Sequence, residues 1–206
     1  MQQYLAVLEK SWFELHQHYH FSEPQKIFNK LIAAYSEKQR SYHRVQHLYE
    51  CLVLLESIRA NLNDANAVVL ALWFHDTVYD PQAKDNELKS ADLFEQYVAH
   101  DLSADDVQKI KRWIVATQKH ESTDELDLQF LLDIDLAILA ASPARFAEYE
   151  QQIQKEYAWV DSEIYSLKRK EVLAHFYHAE PLYQTEYFQQ SSEQRAKQNL
   201  NRILNI

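Results

Sequence analysis

In the stretch "ALWFHDTVYD" an apolar helical run ends on the adjacent pair His75-Asp76, with Asp80 four residues further on. Burying either group of the pair without a partner is costly, so the pair calls for a salt bridge, a cap or a cation. Upstream, "RSYHRVQHLYECLVLLE" holds His43 and His47 four residues apart, a spacing that sets both imidazoles on one face of a helix. Downstream, "FLLDIDLAILA" places Asp133 and Asp135 in the most apolar part of the chain, where carboxylates need partners too. Imidazoles and carboxylates from three separate helices are the donor set of a divalent cation.

The elements that must bring these groups together are helices. Apolar residues recur at intervals of three and four almost throughout, and no sustained alternation marks a strand. The spacing predicts helices over about 3–19, 23–35, 42–59, 64–76, 86–100, 103–119, 125–140, 143–158, 161–179 and 191–204. Start signals support four of them: Ser22 before Pro24, Ser103 with Asp106, Ser142 with Pro143, and a capping box from Ser191 to Gln194. The expected fold is all-α, one domain over 1–206, a helical bundle whose site core spans about 40–140. The longest irregular piece should be Tyr79 to Asn86, directly after the His-Asp pair.

Composition narrows the chemistry. The chain has no glycine, which argues against phosphate-binding loops and dinucleotide-binding turns. A net charge of −10 disfavours nucleic acid polymers as partners. The single cysteine, Cys51, excludes a disulfide framework and fits the cytoplasm, as does a start that does not read as a signal peptide. No run approaches the roughly 20 apolar residues of a membrane span, so no membrane association is expected. The oligomeric state is left open.

These motifs resemble the HD superfamily of metal-dependent phosphohydrolases, named for the adjacent pair. "RSYH...H", "WFHDTVYDP", "DNELKSA", "ATQKH" and "LLDIDLAIL", in that order, are similar to a bacterial group of small predicted HD phosphohydrolases over nearly the whole chain. "YHRVQH" also resembles the Tyr-His-x-x-x-His element of class I cyclic nucleotide phosphodiesterases. The resemblance implies His47, His75, Asp76 and Asp135 as ligands of a divalent cation (Mn, Mg, Co, Ni, Zn or Fe), with Asp133 the rival of Asp135. It implies His43 as the acid that protonates the leaving oxygen. The implied activity is hydrolysis of a phosphate ester, in a small nucleotide-like or phosphorylated metabolite, by metal-activated water. The alternatives are a non-catalytic module binding a phosphoryl ligand, and a di-iron oxygenase of the same fold. The chain departs from the family pattern at Arg44, where the phosphodiesterases commonly carry Asn, and at Ala140, where relatives tend to carry Gly. Cyclic nucleotide specificity is therefore not carried over.

Four further residues each have a functional and a plain reading. Glu87 can orient the attacking water or be an acid at a helix start, and Asp80 shares that choice. His120 can bind phosphate or a second metal, or satisfy the carbonyls at its helix end. Arg40 can clamp phosphate through its guanidinium or be a solvated arginine. His16, His18 and His20 alternate and read as surface; His175 and His178 read as structural.

Overall fold

The structure is a computed structural model that describes residues 2–205. Among the described residues it is all-α, with eleven α-helices and no strand. They are α1 Gln2–Tyr19, α2 Pro24–Ala34, α3 Val45–Ile58, α4 Ala65–Phe74, α5 Asn86–Val98, α6 Ala104–Ala116, α7 Leu126–Asp135, α8 Pro143–Glu156, α9 Ser162–His178, α10 Glu186–Ser191 and α11 Glu193–Leu204. None of the described helices is long and apolar enough to cross a membrane. The chain divides into two compact units, one up to Leu132 and one from Asp133, with the division inside α7.

The first unit is organised around α4. Its residues Ala67 to Phe74 are all buried, and a helix that is apolar on every side must be wrapped by others. Helices α1, α3, α5 and α6 do this. The start of α4 is fixed by Asp64, whose side chain accepts from the Ala67 amide at 3.1 Å. Asp127 holds the approach to it, accepting from the amides of Asn63 and Asp64 at 2.8 Å each. The far end of α4 is thereby aimed, and it delivers His75-Asp76.

In the second unit a 3-10 turn over Leu136–Ala140 packs on α8 and α11, and α11 also packs on α9 and α10. Asn199 of α11 donates to the carbonyls of Leu139 and Ala141 at 2.9 Å, closing the end of that turn. Glu193, at the start of α11, accepts from the amides of Leu182 and Tyr183.

Several expected elements are corrected. The helix expected over 42–59 begins only at Val45, because Arg44 is extended at its N-cap (φ −134°, ψ −175°). The one expected over 125–140 leaves α geometry after Asp135, and that over 86–100 after Val98, each continuing as a 3-10 turn. The helix expected from 191 is preceded by an unforeseen α10, capped by Thr185. The capping box at Ser191 does not form: Ser192 is the N-cap of α11 and makes no side-chain cap bond. Ser22 bonds to Asp101 instead of capping α2, whose N-cap is Glu23. Ser103 and Ser142 cap α6 and α8 as expected. With no glycine to supply left-handed backbone, the chain uses His20, His120 and Asn205 there, at φ 58°, 52° and 59°; His and Asn are among the residues that tolerate that region best.

Candidate metal centre

The centre is built where the end of α4 meets the first turn of α3. The last turn of α4 runs on through the His75 amide, which donates to Ala71 O at 2.9 Å. His75 Nδ1 faces the Leu72 carbonyl at 2.8 Å and donates its proton there, which turns Nε2 toward the cluster. His47, from α3, brings its own Nε2 to 3.1 Å from that of His75. Asp76 Oδ2 lies 3.1 Å from His75 Nε2 and 3.5 Å from His47 Nε2. Both imidazoles are buried, and the Asp76 side chain keeps 14% exposure.

This donor set fits a divalent cation. Donors about 2.1 Å from one ion stand about 3.0 Å apart in octahedral and about 3.4 Å apart in tetrahedral coordination, and the three separations here, 3.1, 3.1 and 3.5 Å, match that spread. Burial opposes the charge on Asp76, but the imidazoles of His75, His43 and His47 outweigh it, and the carboxyl is held well below the usual carboxylate range. Cys51, one turn on from His47, sets its sulfur 3.7 Å from His47 Nδ1.

His43 is not on α3, contrary to the expectation that it shares a helix face with His47. It stands in the turn before that helix, and its ring still comes within 6.1 Å of the His47 ring, centroid to centroid. Tyr79 stacks on His43 at 4.1 Å and 26°, and Tyr42 meets both imidazoles edge-on or tilted at 4.9 and 4.8 Å. The imidazole is thus held by aromatic faces rather than by helix geometry.

Arg40 is the clearest correction among the expected site residues. Its side chain is fully buried, and its guanidinium is committed to the protein. Nε donates to Glu37 at 3.0 Å, Nη1 to the carbonyls of His43 and Asp76 at 3.0 and 2.5 Å, and Nη2 to Thr77 O at 2.8 Å. The planar fork that suits phosphate here serves main-chain carbonyls. It ties the turn carrying His43 to the end of α4 carrying His75 and Asp76. Tyr35 and Tyr79 rings lie 5.4 and 5.5 Å from its guanidinium carbon.

The segment after the pair is pinned rather than loose. Ser90 Oγ accepts from the Val78 amide at 3.0 Å, and Asn86 exchanges two hydrogen bonds with the Asp80 main chain at 3.1 and 2.9 Å. Asp80 is exposed and spends its carboxylate on the Gln82 amide, so it acts as a turn former. Glu87 lies half-buried in the first turn of α5. His120 follows α6 in left-handed backbone, and it is its main-chain N–H that donates to Ala116 O, at 3.1 Å.

In the second unit the two rival aspartates differ. Asp133 is buried and fully engaged: Oδ1 accepts from the Gln184 amide at 2.8 Å, and Oδ2 from the Thr185 amide at 2.8 Å and the Thr185 hydroxyl at 2.7 Å. Asp135, the last residue of α7, is half-buried. Tyr79 carries no mark of a site residue in the sequence beyond its place three residues after Asp76.

Compared with known proteins, the chain matches no family model, no curated protein and no solved structure.

Proposed function

We propose that the protein is a metal-dependent phosphohydrolase acting on a small phosphate ester. The observation that carries the proposal is the convergence of His47 Nε2, His75 Nε2 and Asp76 Oδ2 within 3.5 Å of one another. His47, His75 and Asp76 hold the cation. Asp133, the rival of Asp135 in the resemblance, spends both oxygens on the 184–185 turn. A divalent ion bound there supplies Lewis-acid chemistry, lowering the pKa of water and neutralising charge on a phosphoryl oxygen.

The protein's own groups do the rest. His43, with its ring stacked on Tyr79, donates a proton to the departing oxygen. Arg40 acts as a positioning residue, holding the His43 turn against the end of α4. The half-buried Glu87 is the candidate for orienting the water, and His120 for contacting the phosphoryl group.

The test is activity of metal-stripped protein given Mg, Mn, Co, Ni, Zn or Fe singly, on a panel of nucleotides and chromogenic phosphate esters. Turnover that requires a metal and is lost in Asp76→Asn is the expected result. Turnover by the metal-free protein, or by Asp76→Asn at the wild-type rate, would sink the proposal. Metal binding with no turnover of any ester would favour a module that binds a phosphoryl ligand without cleaving it.

A further inference from the structure

To serve as an acid, His43 must present its imidazole in one direction, yet it stands in the turn before α3, where helix geometry does not aim it. Arg40 holds its main chain, donating to the His43 carbonyl at 3.0 Å. That bond fixes the backbone and leaves the side-chain torsions open. What meets the ring itself is aromatic. Tyr79 stacks on it, with centroids 4.1 Å apart and planes 26° from parallel, and Tyr42 meets it edge-on at 4.9 Å and 81°. A stacked face and a steep edge contact are the two favoured aromatic geometries, and together they restrict rotation of the ring in both of its torsions.

Tyr79 is in turn held on both sides along the chain. The residue before it, Val78, donates its amide to Ser90 Oγ at 3.0 Å. The residue after it, Asp80, exchanges two hydrogen bonds with the Asn86 side chain at 3.1 and 2.9 Å. Asn86 opens α5 and Ser90 lies one turn further on, so the two anchors belong to one helix. Two buried polar side chains are thus spent on the main chain that flanks one half-buried ring. The Arg40 guanidinium carbon also lies 5.5 Å from the Tyr79 centroid, within cation–π range. Arg40 therefore touches both the backbone of His43 and the ring that stacks on it.

We propose that Tyr79 is a positioning residue: clamped through its neighbours by Asn86 and Ser90 of α5, it locks the His43 imidazole in the orientation that delivers a proton to the leaving oxygen. Its effect on turnover rests on the phosphohydrolase reading of the centre; its hold on the ring does not. The two are measured separately. Nuclear Overhauser contacts between the His43 and Tyr42 rings report the ring's orientation without substrate, in wild type, Tyr79→Phe and Tyr79→Leu. They should persist in Tyr79→Phe, which keeps the stacking face, and be lost in Tyr79→Leu, while circular dichroism and calorimetric metal uptake stay unchanged.

Turnover of an alkyl phosphate and of a nitrophenyl phosphate is then compared, with the most activating metal of the panel. Nitrophenolate departs without a proton, whereas an alkoxide needs one. Tyr79→Leu should therefore lower kcat at least about tenfold on the alkyl ester and much less on the nitrophenyl ester, with KM little changed, and Tyr79→Phe should restore it. Ser90→Ala should act in the same direction, and adding it to Tyr79→Leu should cost nothing further. Ring contacts that survive in Tyr79→Leu would overturn the proposal. So would an equal loss on both esters, which is what general loosening produces, or a Tyr79→Phe as impaired as Tyr79→Leu. If wild type turns over neither ester while the ring contacts respond as expected, the phosphohydrolase reading fails and the hold of Tyr79 on His43 stands.

Discussion

Arg40 and Asp76 lie 36 residues apart in the chain, and the Arg40 guanidinium donates to the Asp76 main-chain carbonyl at 2.5 Å. The same side chain holds the carbonyls of His43 and Thr77, so one buried cation aligns two segments of the candidate centre through their backbones.

Arg40→Met keeps much of the volume and removes every donor. Buried carbonyls stripped of a charged partner should cost about 3 kcal/mol of stability, measured as a lowered urea midpoint. Arg40→Lys should recover little of this, because an ammonium cannot span three carbonyls as a planar fork does. A midpoint unchanged in Arg40→Met would contradict the bracing role.

His47→Ala and Asp76→Asn should each lower divalent-ion affinity more than about 100-fold, since loss of even an outer-shell partner costs 10–100-fold. Isothermal titration of the metal-stripped proteins gives the comparison. Equal affinity in wild type and Asp76→Asn would remove Asp76 from the donor set.

Asp133→Asn and Asp135→Asn should separate cleanly. The first exchanges an acceptor of three hydrogen bonds for an amide and should cost about 2–3 kcal/mol in thermal or urea unfolding while leaving ion uptake intact. The second, at the half-buried last residue of α7, should change stability little. The reverse pattern would exchange their assignments.

Glu125 gives a pH dependence with a defined sign. Hydrogen bonds from Arg112 are the chief cause that lowers its pKa from the ordinary 4.5, burial working against them, with Trp113 adding a further donor. A carboxyl with a depressed folded pKa contributes stability above its unfolded value and loses it as pH falls through the folded value. Wild type should therefore lose stability below about pH 4.5 more steeply than Glu125→Gln. Parallel acid limbs would show that the contact contributes nothing. Glu125 keeps 33% exposure, so solvent screening makes the effect small.

The all-α class and most helix positions were legible because they rest on local rules. Apolar spacing marks the faces, and Ser103 and Ser142 bond their own first turns. What escaped depended on distant partners. Arg40 holds the His43 carbonyl of this turn together with the distant carbonyls of Asp76 and Thr77, and the helix expected from 42 starts later, leaving His43 outside it. Arg40 itself carries no local mark that its donors face carbonyls of residues 76 and 77. Helix α10 is only six residues long, too short for its apolar spacing to register. Residue type marked His47 and His75-Asp76 as candidates, but the separations between them belong to the way α3 and α4 pack.

A helix can turn about its own axis unless something indexes it, and for α7 the three bonds of Asp133 to the 184–185 turn do so. Asp135, two residues on, points about 200° around that axis, so its direction is set by the same bonds. One residue inserted between the two would swing Asp135 by about a further 100°. This stretch should therefore accept many substitutions on its outer positions while tolerating no change in length. Among natural variants or in an insertion scan, 133–135 should stand out as a place where the count of residues matters more than their identity.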